Sequence, residues 1–257
     1  MGIAHLDLIP LHFWIFASLI AFAAGIVKGA VGFAMPMIVI SGISSFYSPE
    51  LALAALILPT LVSNLMQTLR GGPVSAAQKL WAQRVFVAAM VVVMAIAAQI
   101  PGRISESVFL LAVGIPVVLL SIVQILGWRP SIARARRIFV EVPVAIFAGF
   151  FGGMAGIWGP PTTMYLTAIG TPKKDQLQIQ GAIYGVGSVV LLLAHLRSGI
   201  LNQATLPVSA AMVVPAMLGM LVGFRLHDRM DQKRFRRATL FVLVVAGLNL
   251  IRRGLGW

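Results

Sequence analysis

A single lysine lies deep inside a long apolar block, where a charged side chain is unusual. Lys28 stands near the middle of block 13–46, and no acidic residue is close to it in sequence. An ionisable side chain at membrane depth is costly, and such residues usually mark a functional site. The alternative is that the long stem lets the ammonium group reach the membrane surface. A buried cation of this kind predicts a site for one singly or doubly charged anion.

The same block contains a run of glycines and a proline that recurs in a second block. The first run reads GIVKGAVGFAMP over 25–36, and the second reads GFFGGMAGIWGP over 149–160. Such residues break helices, and the backbone groups freed at membrane depth must contact protein or a water-filled cavity. A half-helix that starts after a break points its N–H groups and partial positive charge inward, which favours an anion. The alternative is that the glycines only allow close helix packing. The candidate residues are Gly29, Gly32 and Pro36 in the first break, and Gly153, Gly156, Pro160 and Pro161 in the second.

Neutral polar side chains follow each break at helical spacing. Thr60, Asn64 and Gln67 fall on one helix face, and so do Gln180 and Tyr184 in the second half. Hydroxyls and amides can donate hydrogen bonds to an oxyanion without holding it too tightly for release. The alternative for each residue is a hydrogen bond between helices. Thr162 and Thr163, which follow the second proline pair, complete the set of candidate binding residues.

Several kinds of chemistry lack the residues that they need. The chain has no cysteine, which excludes disulfides, thiol catalysis and cysteine-based metal sites. No nucleophile–base pair, metal-ligand cluster or phosphate-binding loop can be assembled, so we expect neither an enzyme nor a cofactor. Glu50 and Glu141 lie near block ends, and His195 is expected at a membrane interface. A carboxylate proton relay is therefore unsupported, while coupling to H⁺ or Na⁺ stays open.

The composition is that of a helical membrane protein. Hydrophobic residues make up 59% of the 257 positions and charged residues only 11%, with a mean hydropathy of +0.95. A water-facing surface needs about a quarter charged residues, so the lipid bilayer is the expected surroundings. Apolar runs long enough to span a membrane recur along the chain, without the alternation of a β-barrel. The net charge of +13 is attributed to cytoplasmic loops, so no nucleic-acid partner is expected.

Two halves of the chain share one plan. Gly25 and Pro36 match Gly149 and Pro160 at one offset, since 149 − 25 and 160 − 36 are both 124. We therefore predict an all-α polytopic membrane protein with two inverted repeats, each made of one re-entrant helical hairpin plus three transmembrane helices. The first repeat covers 1–128, with hairpin 13–46 and helices 50–69, 85–101 and 107–127. The second covers 129–257, with hairpin 138–170 and helices 177–196, 205–224 and 238–251.

The charge distribution favours hairpins over full crossings for the two broken blocks. If every block crossed the membrane, the basic connections 129–137 and 225–237 would lie on opposite sides, against the tendency of basic residues to be cytoplasmic. With two hairpins, both connections share one side. Each repeat then crosses three times, so the second copy is inverted, as in many secondary transporters. Both termini are predicted outside the cytoplasm.

At these residues the chain resembles the TauE/SafE family of sulfite and organosulfonate exporters. The resemblance rests on both glycine-rich breaks and on the segments GPPTTMYL (159–166), GTPKK (170–174) and LRSG (196–199). It implies a secondary carrier of small anions, such as sulfite, sulfoacetate or sulfolactate, in the cell (inner) membrane. Lys28 departs from the family pattern, in which many members have a small residue, so a different or more highly charged anion could be selected.

The sequence thus predicts a small-anion transporter with Lys28 and the two half-helix N-termini at its site. A carrier of small carboxylates remains an alternative, because a carboxylate presents the same charge. A membrane-embedded scaffold or insertase subunit is a further alternative, although neither would require two matched breaks with a buried cation. A small anionic substrate is the expected partner, and a homo-oligomer is compatible with the sequence.

Overall fold

The chain is entirely helical in the part that the computed structural model describes, which is residues 10–69, 72–127, 137–227 and 232–256. Eleven α-helices and one short 3₁₀ turn occur there, without a strand. The first half contains α1 (Leu11–Val31), α2 (Met35–Ser44), α3 (Pro49–Leu69), α4 (Pro73–Ala82), α5 (Arg84–Ala97), the 3₁₀ turn (Pro101–Arg103) and α6 (Glu106–Ile125). The second half contains α7 (Arg137–Ala155), α8 (Gly159–Ala168), α9 (Lys173–Ser198), α10 (Leu206–His227) and α11 (Gln232–Gly254).

Seven of the helical segments in these ranges are long and apolar enough to cross a membrane. A helix rises about 1.5 Å per residue, so some 20 residues span the hydrocarbon core. The prediction of an all-α polytopic membrane protein is therefore confirmed. The seven segments are Leu11–Val31, Pro49–Leu69, Arg84–Arg103, Glu106–Ile125, Arg137–Ala155, Gln178–Ser198 and Leu206–Leu226.

The first broken block folds back on itself. The ring of Phe13, near the start of α1, packs edge-on against the ring of Tyr47, which follows α2, with centroids 4.7 Å apart. The rings of Phe16 and Phe46 make a similar contact at 4.6 Å. Both ends of this block therefore lie at one end of the molecule, which we call the Phe13 end.

The second broken block forms a matching hairpin. At the start of α7, the guanidinium of Arg137 donates to the Tyr165 hydroxyl near the end of α8 at 3.1 Å. Arg137 also binds the Glu141 carboxylate at 3.1 Å and the Gln83 side-chain oxygen at 2.9 Å. The second oxygen of Glu141, which is 4% exposed, accepts from the Phe86 N–H in the first turn of α5. These contacts tie both ends of the hairpin to the start of α5, at what we call the Arg137 end.

Glycines bring α1 into backbone contact with α10. A Cβ at Gly25 would collide with the carbonyl oxygen of Ala216, and one at Gly29 with that of Met220. The contacts advance in the same direction along both helices, so α1 and α10 run parallel. Gly29 therefore serves helix packing in this structure, which is the alternative that the sequence left open.

The pair α7 and α5 repeats this arrangement. A Cβ at Gly149 would collide with the carbonyl oxygen of Met90, and one at Gly153 with that of Met94. These are the glycines that match Gly25 and Gly29 in the repeat alignment. The first helix of each hairpin thus packs in parallel along a helix of the other half.

The two hairpins open at opposite ends of the bundle. α5 finishes beside the end of α9, since the Gln99 amide donates to the Ala194 carbonyl at 3.3 Å. The short connection after α9 then leads into α10, so α10 starts at the end where α5 finishes. Because α1 lies parallel to α10 and α7 to α5, the hairpins enter from opposite directions. The orientation of these ends in a membrane, and hence the inversion of the repeats, stays a prediction.

Several boundaries differ from the predicted ones. Residues 73–82 form a helix, α4, where a polar connection was expected, because Pro73 is compatible with a first helical position. Helix α9 begins at Lys173 rather than 177, directly after Pro172, and α5 ends at Ala97 rather than 101. The proposed repeat boundary at 128/129, residues 129–136 of the first basic connection and residues 228–231 of the second lie outside the described residues.

Candidate functional site

The two breaks meet around one small cavity. A Cβ at Gly156 would lie 3.3 Å from the Pro36 ring, and one at Gly159 would lie 3.1 Å from the Phe33 side chain. The cavity measures about 20 Å³, enough for one or two water molecules. Its walls come from α1, α3 and α9 together with both breaks. The lining residues are Lys28, Phe33, Ala34, Pro36, Met37, Thr60, Asn64, Gly156, Ile157, Trp158, Gly159, Pro160 and Tyr184.

The two breaks have the same backbone design. Gly32 has φ of 85° and Gly156 has φ of 72°, a left-handed conformation that glycine adopts without strain. Each closes the preceding helix, with the Gly32 N–H bonded to the Lys28 carbonyl at 2.7 Å and the Gly156 N–H to the Gly152 carbonyl at 2.8 Å. The helices α2 and α8 start three residues later. The predicted breaks at these glycines are confirmed.

Ala34 has a strained backbone at the cavity wall. Its φ is 82°, and a non-glycine residue rarely adopts this region. Strain of this kind costs on the order of 1–3 kcal/mol, so the surrounding packing must hold the residue in place. Such residues cluster at active sites and ligand-binding sites. Ala34 precedes α2 and places the first turn of that helix against the cavity.

Lys28 is buried beside the cavity with neutral neighbours. Its side chain is 3% exposed, and its amine donates to the Asn64 side-chain oxygen at 2.5 Å. The amine also lies 5.9 Å from the centre of the Tyr184 ring. Within the described residues, the ion pairs join other side chains, and none gives Lys28 a carboxylate partner. The alternative that Lys28 reaches the membrane surface is wrong, because burial leaves the amine facing the interior.

The two half-helix N-termini differ in what they can donate. Proline has no N–H, so in the first turn of α8 neither Pro160 nor Pro161 is a donor, and Gly159 retains one. In α2 only Pro36 lacks an N–H, and Met35 and Met37 keep theirs. The first turn of α2 therefore has more backbone N–H groups than that of α8.

Of the other predicted polar residues, Thr60 and Asn64 face the cavity. The Thr60 hydroxyl is buried, with 2% of the residue exposed, and has no hydrogen-bond partner among the described residues. Asn64 presents its oxygen to Lys28. Tyr184 contributes its ring, while its hydroxyl donates to the Gly159 carbonyl at 3.0 Å.

The remaining predicted polar residues lie behind the cavity wall. Thr162 and Thr163 donate to the carbonyls of Trp158 and Gly159 at 2.7 and 2.9 Å. Gln180 donates to the Thr163 hydroxyl at 2.9 Å. These hydrogen bonds stabilise the second break, and the three side chains do not line the cavity. Of the fifteen candidates, eight lie outside the lining: Gly29, Gly32, Gln67, Gly153, Pro161, Thr162, Thr163 and Gln180.

The sequence interpretation missed the apolar side of the cavity. Trp158 and Phe33 pack in the breaks themselves, and the Trp158 ring covers the face of Gly152, the position that matches Lys28. Lys28 therefore has no charged counterpart at the matching position of the second half. The sequence feature that could have indicated Phe33 and Trp158 is the presence of an aromatic residue inside each glycine-rich run. The missed lining residues are Phe33, Ala34, Met37, Ile157, Trp158 and Gly159.

His195 differs from its predicted interfacial position. It is fully buried, and its Nε2 lies 2.9 Å from the carbonyl oxygen of Gly153. The carbonyls at the end of α7 have lost their helical partners. His195 satisfies one of them, which fixes α9 against the second break.

A bundle of membrane-spanning helices around a cavity between two broken hairpins defines a polytopic membrane protein of the transporter type. A protein-family model described as "Sulfite exporter TauE/SafE" matches residues 17–250. The chain therefore belongs to the TauE/SafE family, as its sequence resemblance predicted, and it is a multi-pass membrane transporter and not an enzyme. No curated protein and no solved structure gives a significant match to the chain.

Proposed function

We propose that this protein carries a small oxyanion, either sulfite or a small organosulfonate, out of the cell across the cell (inner) membrane. The observation that carries the proposal is Lys28, a buried amine that faces the cavity and whose neighbours among the described residues are neutral. Taking a charge out of water costs several kcal/mol unless a counter-charge is supplied. An anion in the cavity supplies that charge.

Two further groups would complete the anion site. The Thr60 hydroxyl is a buried donor without a protein acceptor in the described part of the chain, and the first turn of α2 offers backbone N–H groups. Together with the Lys28 amine, they would surround an oxyanion with donors from α1, α2 and α3. None of these helices belongs to the second half of the chain. The second break would therefore provide the apolar wall of the site, through Trp158 and Pro160, and few hydrogen-bond donors.

The size of the cavity supports alternating access. A space of about 20 Å³ holds one or two water molecules, and an oxyanion needs more room. The walls must therefore separate to admit substrate. Hairpins that enter from opposite ends can rock apart on one side at a time, as in transporters with inverted repeats.

Substitution of Lys28 tests the proposal. In Lys28→Met the apolar stem is kept and the charge is lost, so binding of sulfite to the purified protein should weaken about 10- to 100-fold, as expected for a charge-assisted hydrogen bond. Flux of labelled sulfite into proteoliposomes should fall with it. Lys79→Met is the matched control, because Lys79 lies at the Arg137 end and pairs with Asp175.

Unchanged sulfite binding in Lys28→Met would refute the site. A panel of sulfite, small sulfonates and small carboxylates in the same flux assay tests the substrate. Faster flux of carboxylates than of any sulfur oxyanion would replace the proposed substrate while leaving the site in place. Flux that depends on a pH or sodium gradient would identify the coupling ion.

A further inference from the structure

The stem of the Gln67 side chain packs against Gly181 of α9, but neither this packing nor the cavity uses its buried amide group. The residue is 8% exposed, and neither its side-chain oxygen nor its nitrogen has a hydrogen-bond partner among the described residues. Leaving a buried polar group unsatisfied costs about 1–3 kcal/mol. Native proteins contain few such groups, and each one calls for a physical reason.

The position of Gln67 lies between the cavity and the Arg137 end. It follows Asn64 by one turn of α3, about 4.5 Å further along the helix axis. Asn64 lines the cavity, whereas Gln67 does not. Beyond Gln67, α3 ends at Leu69, and the Lys79–Asp175 ion pair, at 2.6 Å, joins α4 to α9 at that end.

Helix α9 closes the cavity at this level. The Thr68 hydroxyl donates to the Gly181 carbonyl at 2.6 Å, and a Cβ at Gly181 would lie 3.0 Å from the Gln67 carbonyl oxygen. A Cβ at Gly185 would collide with the Thr68 hydroxyl. The helices α3 and α9 are therefore in backbone contact one turn beyond the cavity.

We propose that Gln67 is a second anion-binding position on the route between the cavity and the Arg137 end. When α3 and α9 separate, its amide N–H groups donate to the oxyanion oxygens as the anion leaves or approaches Lys28. A neutral amide suits a transit position, because it binds the anion more weakly than the Lys28 amine does. The amide is then unpaired in the closed state because it must be free to bind the anion when the helices separate. This inference rests on the proposed function.

Replacement by leucine of similar size separates transport from stability. Gln67→Leu removes two unsatisfied polar atoms, so the protein should unfold at a higher temperature. Equilibrium binding of sulfite at the Lys28 site should stay within about twofold, while sulfite flux should fall about fivefold, as for one lost hydrogen bond. Gln78→Leu is the control, because Gln78 is an exposed amide on α4 at the Arg137 end, and its flux should equal that of the native protein.

Native flux in a stabilised Gln67→Leu protein would overturn the inference. A loss of equilibrium affinity equal to the loss of flux would also overturn it, because Gln67 would then belong to the central site. Both results leave the Lys28 test unaffected. Native sulfite binding in Lys28→Met refutes the proposed function itself, so the two failures are distinguishable.

Discussion

At the level of single residues, the cavity places one amine among neutral donors and acceptors. Asn64 accepts from Lys28 and so fixes the direction of the amine. Thr60, one turn earlier on α3, faces the same space. In the proposed function, this arrangement of one charge in neutral surroundings holds the anion weakly enough for release when the helices move.

Thr60→Val tests the contribution of the unpaired hydroxyl. Valine has nearly the same shape, and the described residues give the Thr60 hydroxyl no partner to lose, so the unfolding temperature should stay equal or rise. Sulfite affinity should fall about fivefold, the effect of one hydrogen bond. Thr60→Ser should retain native affinity in the same titration. Equal affinity in the valine variant would remove Thr60 from the site.

The sequence indicated the polar part of the site better than its apolar part. Burying the charge of Lys28 in an apolar block costs free energy, so the sequence alone identified it as a candidate. Helical spacing placed Thr60 and Asn64 on one helix face. The same spacing included Gln67, which lies one turn outside the cavity. Phe33 and Trp158 could not be selected, because aromatic residues are common in apolar blocks and only tertiary contacts decide which of them face a cavity.

At the level of helices, glycines decide which pairs touch. Gly29 and Gly153 were predicted at the anion site, and each instead presses against a neighbouring helix backbone. The sequence could not distinguish these roles, since both require a residue without a side chain. Gly32 and Gly156 have the positive φ that marks a break, and only the fold distinguishes them from the packing glycines of the same runs.

Gly29→Ala should destabilise the contact between α1 and α10. The added Cβ meets the Met220 carbonyl oxygen, which cannot move without shifting the helix, and overpacking of this kind costs about 1–3 kcal/mol or more. The unfolding temperature of the purified protein in detergent should fall clearly. Gly102→Ala is the control, because no atom lies within 4 Å of its added Cβ. Equal unfolding temperatures would show that the helices are not in backbone contact.

At the level of the whole molecule, length and hydropathy were sufficient for the class and for most helices. Blocks of some 20 apolar residues without alternating polarity indicate membrane helices, because in lipid the backbone satisfies its hydrogen bonds only within a helix or a closed β-barrel. The connection at 73–82 was missed as a helix, since α4 is short and has no buried residue. Its stretch of the chain lacks the long apolar run on which the prediction relied.

The orientation of the molecule follows from the distribution of its basic residues. Lys79, Arg84 and Arg137 lie at the Arg137 end, and so does Arg225 near the end of α10. Basic residues collect on the cytoplasmic side, so the Arg137 end should face the cytoplasm and the Phe13 end the outside.

Single cysteines can report this orientation directly, because the chain has no cysteine of its own. Gln78 on α4 and Gly102 after α5 are both exposed and lie at the Arg137 and Phe13 ends, respectively. A membrane-impermeant maleimide should label Gly102→Cys in intact cells, and Gln78→Cys only after permeabilisation. Labelling of both positions from outside would mean that α5 does not cross the membrane. A reversed labelling pattern would place the basic Arg137 end outside, against the charge rule. The proposed route from Lys28 past Gln67 would then open to the outside of the cell instead of the cytoplasm.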